Sequence, residues 1–210
     1  MVLVFLCLYM SLCRGAIIGI GYEILGFIFL YYYMRNVESI QSKQLIIFLM
    51  IVIVLPLNVV AIASRSYDYE RVLLWISGFH IFTDHIFFGV GLTNFNYFYN
   101  EFYISPLANE PYLRHPHNVL LLILAETGLF GFLLFVNVIY YIIKLSLNHI
   151  KKFDLKHSRA SIVCIFLLAL LGVSVHSQVD CTPLWRPIRT AMIFIWTMTC
   201  VYMCEVKRIE

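Results

Sequence analysis

Charge is what this 210-residue chain has least of: Asp, Glu, Lys and Arg together make up 13% of it. An ordinary soluble domain carries about 25%. So few charged groups cannot clothe a water-facing surface, which excludes a soluble enzyme, a nucleic-acid binder and a disordered tail. Metal-binding cysteine patterns are missing too. The six cysteines form no CxxC and no Cys/His spacing of the kind that holds zinc. Cys7, Cys164, Cys200 and Cys204 lie inside apolar runs, where a thiol behaves as a small hydrophobe. Cys13 and Cys181 stand at run ends, with nothing in the sequence to pair them. Residues 1–13 lack the basic start and the small-residue cleavage site of a secretory signal. There is also no internal repeat of the kind on which transporters are built.

What remains is apolar. Hydrophobic residues make up 61% of the chain, with 17 Phe and 14 Tyr among them, and the mean hydropathy is +0.85. A spanning helix needs about 20 mostly apolar residues to cross a core roughly 30 Å thick. Residues 16–34, 44–63, 119–143 and 187–204 meet this, and 160–176 lies near the lower limit. Residues 1–13 read as the second half of a span, which would make six. The expected fold is therefore all-α: a polytopic membrane bundle of five to six transmembrane helices.

Basic residues set the direction of such a bundle, because Lys and Arg collect on the cytoplasmic side. Residues 144–159 carry Lys144, Lys151, Lys152, Lys156 and Arg159 against Asp154 alone. The tail ends in Lys207 and Arg208. Residues 64–118 instead set Arg65, Arg71 and Arg114 against Asp68, Glu70, Asp84, Glu101 and Glu110. That long segment is expected to face outward, with both chain ends in the cytoplasm. Three parts follow: N-terminal membrane helices over 1–63, an outer loop over 64–118, and C-terminal membrane helices over 119–210. The loop is far longer than a usual connection, and its aromatic content argues against disorder. Within it, Val72, Trp75, Phe79, Phe82 and Ile86 fall on one side at helical spacing over 71–88. This predicts an amphipathic helix on the membrane surface, with Trp75 at headgroup level and a break at Gly89-Val-Gly91.

Four blocks in and after this loop carry a resemblance. Arg71-Val-Leu-Leu-Trp75 comes first, then Phe88-Gly-Val-Gly-Leu92 with Asn94-Phe95. His117-Asn118-Val-Leu-Leu121 follows, then Leu124-Ala-Glu-Thr-Gly-Leu129 with Gly131. In order and spacing they resemble the O-antigen ligase and O-antigen polymerase family. Upstream, Cys13-Arg14-Gly15-Ala16 is similar to the family's Ser-Arg-Gly element, with cysteine in the serine slot. Ile86 stands where many members have proline. The resemblance spans about residues 5–200 but covers only the C-terminal part of the family's usual architecture. That leads us to expect a truncated product or a partner polypeptide supplying further helices.

The resemblance implies a metal-independent, cofactor-free, inverting glycosyl transfer at the outer face of the bacterial inner membrane. The implied donor is a glycan on undecaprenyl diphosphate, and the acceptor is a sugar or protein hydroxyl. Such a reaction needs a base for the incoming hydroxyl and cations for the departing diphosphate. His117 is the candidate base, because histidine titrates nearest neutral pH, and Asn118 is placed to orient it or the acceptor. Arg71, Arg14 and Arg114 are the candidate diphosphate ligands, since guanidinium pairs bidentately and stays charged. Glu126, about 10 Å along its helix by rise alone, is a costly intramembrane carboxylate and is read as site-supporting.

Plainer readings stand beside these. Arg14 can mark a helical-hairpin turn, Arg71 can anchor a helix to headgroups, and His117 can be an interfacial cap. His115 and His117 form a His-x-His without a third metal ligand, and His80 and His85 read as surface polar residues. Gly128 and Gly131 read as a close helix-packing face. His176, Asp180 and Arg186 lie on the last outer loop without a local pattern that assigns them. The alternative to an enzyme is an inactive remnant or a non-catalytic subunit that binds a polyprenyl glycan.

Overall fold

The computed structural model describes residues 14–35, 66–108, 114–152, 158–181 and 186–205. Among these, all regular structure is helical. Helix α1 is Arg14–Arg35, α2 is Ser66–Asp84, and α3 is the single turn Phe95–Phe98, which runs into a π-helical turn, Tyr99–Tyr103. Helices α4, α5 and α6 are Val119–Lys152, Ser158–His176 and Arg186–Glu205.

Helix α4 contains a stretch, Val119–Ile150, long and apolar enough to cross a membrane. Over its most apolar eighteen residues the mean hydropathy is 2.5, and only 17% of them are buried. The core helix of a soluble protein would bury such a surface; this one leaves most of it exposed. Among the described residues α4 alone reaches that length. The apolar stretches of α1 and α5, Gly15–Tyr31 and Ser161–His176, are shorter. The spans expected at 16–34, 160–176 and 187–204 are helices, and those at 44–63 and 1–13 lie outside the described residues.

The chain forms two compact units. One comprises Met1–Val54, Tyr141–His176 and Thr182–Glu210, and in it α1 lies along α5. Small residues set that approach: a Cβ added at Gly19 would stand 3.1 Å from the Gly172 carbonyl oxygen. The Glu23 carboxylate fills the space where a Gly172 side chain would go. Leu30, Leu147, Ile150, Val163 and Cys164 form this unit's main buried cluster. Close packing over glycine is the usual means of helix association where lipid removes the hydrophobic driving force.

The other unit comprises Leu55–Tyr140 and Ser177–Cys181. Here α2 buries Glu70, Leu73, Leu74, Ser77 and Ile81, one stripe at three- and four-residue spacing. Leu74 and Ile81 join Phe95, Tyr99, Leu122, Ala125 and Cys181 in the core. The apolar side expected to rest on the membrane is the less buried one, with Phe79 54% and Ile86 43% exposed. Trp75 is half-buried, and its indole N–H is buried with no hydrogen-bond partner among the described residues.

The predicted helix over 71–88 ends early, at Asp84, and α4 is broken at Gly128 (φ 65°, ψ −167°). Both departures have one cause. In continuous helices, the Val90 and Gly91 N–H groups would donate to Ile86 and Phe87, and those of Leu129 and Phe130 to Ala125 and Glu126. Instead the two segments exchange partners. Val90 and Gly91 donate to the Ala125 and Glu126 carbonyls at 3.0 and 2.9 Å, while Leu129 and Phe130 donate to Ile86 and Phe87 at 2.7 and 3.3 Å. Each segment turns on a glycine at φ 65°, Gly89 and Gly128. A Cβ at Gly89 would overlap the backbone of Glu126 and Thr127, and one at Gly128 the backbone of Phe87 and Phe88. Gly128 is thus required by a backbone crossing, and it does not mark the helix-packing face expected from the sequence.

Alanine at either crossing glycine adds a left-handed penalty of about 1–2 kcal/mol and a backbone collision worth roughly 1–3 kcal/mol more. Gly89→Ala and Gly128→Ala are each expected to lower the thermal unfolding midpoint in detergent by several degrees. Gly21, whose Cβ would meet nothing within 4 Å, is the control. Gly21→Ala should leave the midpoint unchanged or raise it, because alanine is the better helix former.

Candidate functional site

Helix α4 starts where it does because Asn118 caps it. The Asn118 side-chain oxygen accepts the Leu121 N–H at 3.0 Å, and its main-chain carbonyl accepts the Leu122 N–H at 3.0 Å. The same side chain donates from Nδ2 to the Gln178 carbonyl at 3.1 Å. One residue on, the Val119 N–H donates to the Ser177 carbonyl at 2.9 Å. The turn after α5 is therefore stitched to the head of α4, with Ser177, Gln178, Val179 and Cys181 buried. Both ends of the Asn118 amide are spent on this stitching.

Between Pro116, which is fully buried, and Asn118 stands His117. Its φ of 50° is left-handed, a conformation that costs a residue with a Cβ about 1–2 kcal/mol. The surrounding bonds hold it there, and the result aims its Nδ1 at Asp180 Oδ1, 3.0 Å away. Asp180 also accepts the Cys181 N–H at 2.8 Å. The hydrogen bond from His117 is the main cause that holds the Asp180 carboxyl below its ordinary value, against the opposing pull of burial. The electrostatic influence of the His117 ring, the Cys181 amide and the Arg71 guanidinium reinforces it. Arg71, on α2, is therefore close enough to act on the same carboxylate.

The His115 ring lies edge-on to His117, with centroids 4.4 Å apart. Burial, and then the neighbouring His117, hold the His115 imidazole below its ordinary value, so it is neutral at pH 7. Burial pushes the Cys181 thiol up to about 12, so beside this pair it is an inert filler.

The residues singled out from the sequence thus separate. His117 contacts Asp180, a residue the sequence placed on the right loop without assigning it, and Arg71 acts on that carboxylate through its electrostatic pull. Asn118 is a helix cap. Arg114 is exposed, three residues before His117. Glu126 faces α3, where its Oε1 accepts the Phe95 N–H at 3.3 Å and also takes a bond from the Thr93 amide. It holds the start of α3 and the turn before it. Arg14 opens α1, and its side chain lies outside the described residues. His85 packs against Phe98, with centroids 5.4 Å apart, and Asp84 accepts a 2.6 Å hydrogen bond from Tyr103. No group of three His, Cys, Asp or Glu side chains able to hold a metal occurs among the described residues.

A helical membrane protein with a carboxylate-oriented histidine at the head of its longest apolar helix is the class that this fold and cluster define. The family model for O-antigen ligase matches residues 1–136, nearly two thirds of the chain, and the chain belongs to that family. No curated protein and no solved structure matches it. Membership brings an O-antigen ligase- or polymerase-type function in a bacterial inner membrane. The match includes Arg71, Arg114 and His117 and stops before Asp180.

The lowered Asp180 value has a consequence for stability. A carboxyl whose folded value is depressed stabilises the fold above its unfolded value, and that contribution is lost as pH falls through the folded value. Wild type should therefore be more stable than Asp180→Asn at pH 5 and above. The gap should close as pH drops below the ordinary carboxylate value of 3.8. Unfolding midpoints of both proteins between pH 7 and pH 3 measure this directly; a constant gap would show that the His117 contact does not act through the carboxylate charge.

Proposed function

We propose that the chain transfers a glycan from undecaprenyl diphosphate to a hydroxyl on a sugar or protein, at the outer face of the cytoplasmic membrane. The observation that carries this reading is the His117–Asp180 contact at 3.0 Å, in a chain of the O-antigen ligase family. With Nδ1 donating to Asp180, the lone pair of His117 lies on Nε2, the tautomer a general base needs. Asp180 also stabilises the imidazolium that forms, so it positions the base without touching the reacting atoms.

The step proposed is an inverting displacement. The acceptor hydroxyl gives its proton to His117 Nε2, and its oxygen forms the new bond to the anomeric carbon. The bond from that carbon to the phosphate oxygen breaks, and the diphosphate leaves with the electron pair. Arg71 is the first candidate to hold that leaving group, because it already lies in range of the site's carboxylate. Arg114 and Arg14 complete the proposed set. Fixed cations aimed at developing negative charge supply the largest share of the rate in such a site. Neutral His115 adds no competing charge. In this reading 64–118 is the outward loop that brings Arg71 to the head of α4, and 1–63 and 119–210 are the membrane parts.

His117→Ala and Arg71→Ala are each expected to cut glycan ligation or chain extension by about 10²-fold or more, with insertion into the membrane intact. Asp180→Asn should fall between them and wild type. Combining it with His117→Ala should cost no more than His117→Ala alone, because the two act as a unit. A glycan ladder on a gel, run beside a membrane-fraction blot, reads both properties. A normal ladder from His117→Ala would exclude the proposed base.

A further inference from the structure

The sequence places residues 64–118 outside the membrane as one block, but the crossing at Gly89 and Gly128 does not fit that placement. Its four hydrogen bonds tie 86–91 level with 125–130 of α4. The depth of 125–130 follows from the helix itself. They fall inside Val119–Ile150, the stretch of α4 long and apolar enough to cross a membrane. Residues 125–130 belong to the half of that stretch nearer the head of α4. Whatever is bonded to them lies there too.

The exposed surface of the turn has the matching polarity. His80, Thr83 and Asp84 are exposed and polar; then Ile86, Phe87, Phe88 and Leu92 are exposed and apolar; then Thr93 and Asn94 are exposed and polar again. Phe88 is 77% and Leu92 71% exposed, among the highest values of any large apolar side chain in the described residues. Both Phe87 and Phe88 rest on the Phe130 ring, at 5.9 and 5.5 Å. Phe130 continues into Leu133 and Leu134, which are exposed on α4 itself. The apolar tip thus continues the exposed apolar side of the span and is flanked in sequence by polar residues, His80, Thr83 and Asp84 before it and Thr93 and Asn94 after it.

Irregular backbone enters hydrocarbon only when its polar groups are satisfied. Here the carbonyls of Ile86, Phe87, Val90 and Gly91 and the N–H groups of Gly89, Val90 and Gly91 all have partners. Two of these come from Asn94, which closes the turn by donating from Nδ2 to Val90 and from its main chain to Gly91.

We propose that residues 86–92 form a re-entrant wedge whose Phe88 and Leu92 side chains contact phospholipid acyl chains in the outer leaflet. This goes beyond the glycosyl-transfer reading; it rests on that reading for the outward direction of the head of α4, and it moves 86–92 from the outward loop into the membrane.

The test is photo-crosslinking of the full-length protein in vesicles of phosphatidylethanolamine and phosphatidylglycerol. p-Benzoylphenylalanine is placed at Phe88, at Leu92, at Leu134 as the lipid-facing reference and at Thr83 as the water-facing one. After irradiation, peptide masses are read for phospholipid adducts. Phe88 and Leu92 are expected to give adducts within about twofold of Leu134, and Thr83 at least tenfold fewer. Yields at Phe88 and Leu92 as low as at Thr83 would overturn the proposal, and so would adducts to protein in place of lipid. An unnatural residue at Leu92 does not touch the Phe130 stack, so it keeps the test decisive if the Phe88 variant fails to insert.

Discussion

The exchange of hydrogen bonds between 86–91 and 125–130 is the constraint on which the rest of this unit depends. Breaking an apolar helix leaves amides and carbonyls without partners, at several kcal/mol each away from water. Two helices broken at the same level can supply each other. Here four would-be intrahelical bonds become four bonds between segments, related by a constant offset along the chain. The exchange works only if the backbones touch, and they touch only because both turns carry glycine. The two glycines are therefore one device, and neither is useful alone.

From that contact the site is built outward. With α2 fixed against α4, the stripe containing Leu74 and Ile81 meets Leu122 and Ala125, and Phe95 and Tyr99 close the core with rings stacked 5.9 Å apart. Glu126, whose carbonyl is already in the crossing, uses its carboxylate to hold the start of α3. Cys181, wholly buried in the same core, anchors the end of the loop that presents Asp180. Asn118 fastens the loop's other end to the head of α4. The His117–Asp180 distance is consequently set by anchors immediately beside each partner, Asn118 next to His117 and Cys181 next to Asp180. That is what rigid support of a reactive pair requires.

The sequence made some of this legible and hid the rest for physical reasons. Hydropathy marks α4 plainly, since an apolar run of that length has one common explanation. His117 and Arg71 stood out because polar groups of those types are costly beside a membrane and recur in a recognisable order. The break in α4 was invisible: by periodicity the run from Val119 onward is an uninterrupted apolar helix. Gly128 could be read as packing because nothing local shows that its partner is Gly89, 39 positions earlier. Asp180 was hidden in the same way. It is one acid on a short loop, and its meaning comes from a contact 63 residues distant. Local pattern reports cost and composition; it does not report which of two distant segments will meet.

The residues of the family blocks divide by what their hydrogen bonds are used for. Asn118 spends both ends of its amide on cap and loop, and the Glu126 carboxylate is spent on main-chain amides. Substituting either would disturb the main-chain contacts it makes. His117 spends one ring nitrogen and, among the described residues, leaves the other without a hydrogen bond. It also bears the strained backbone. A protein that holds a histidine in a left-handed conformation, with a buried proline before it and a capping asparagine after it, is opposing the local preference of the chain. The strain has an identifiable return: it turns Nδ1 onto the carboxylate and Nε2 away from it. In the proposed reaction the base is thus an imidazole whose direction is set by main-chain geometry, and Asn118 and Glu126, which look functional in the sequence, hold that main chain and α3 in place.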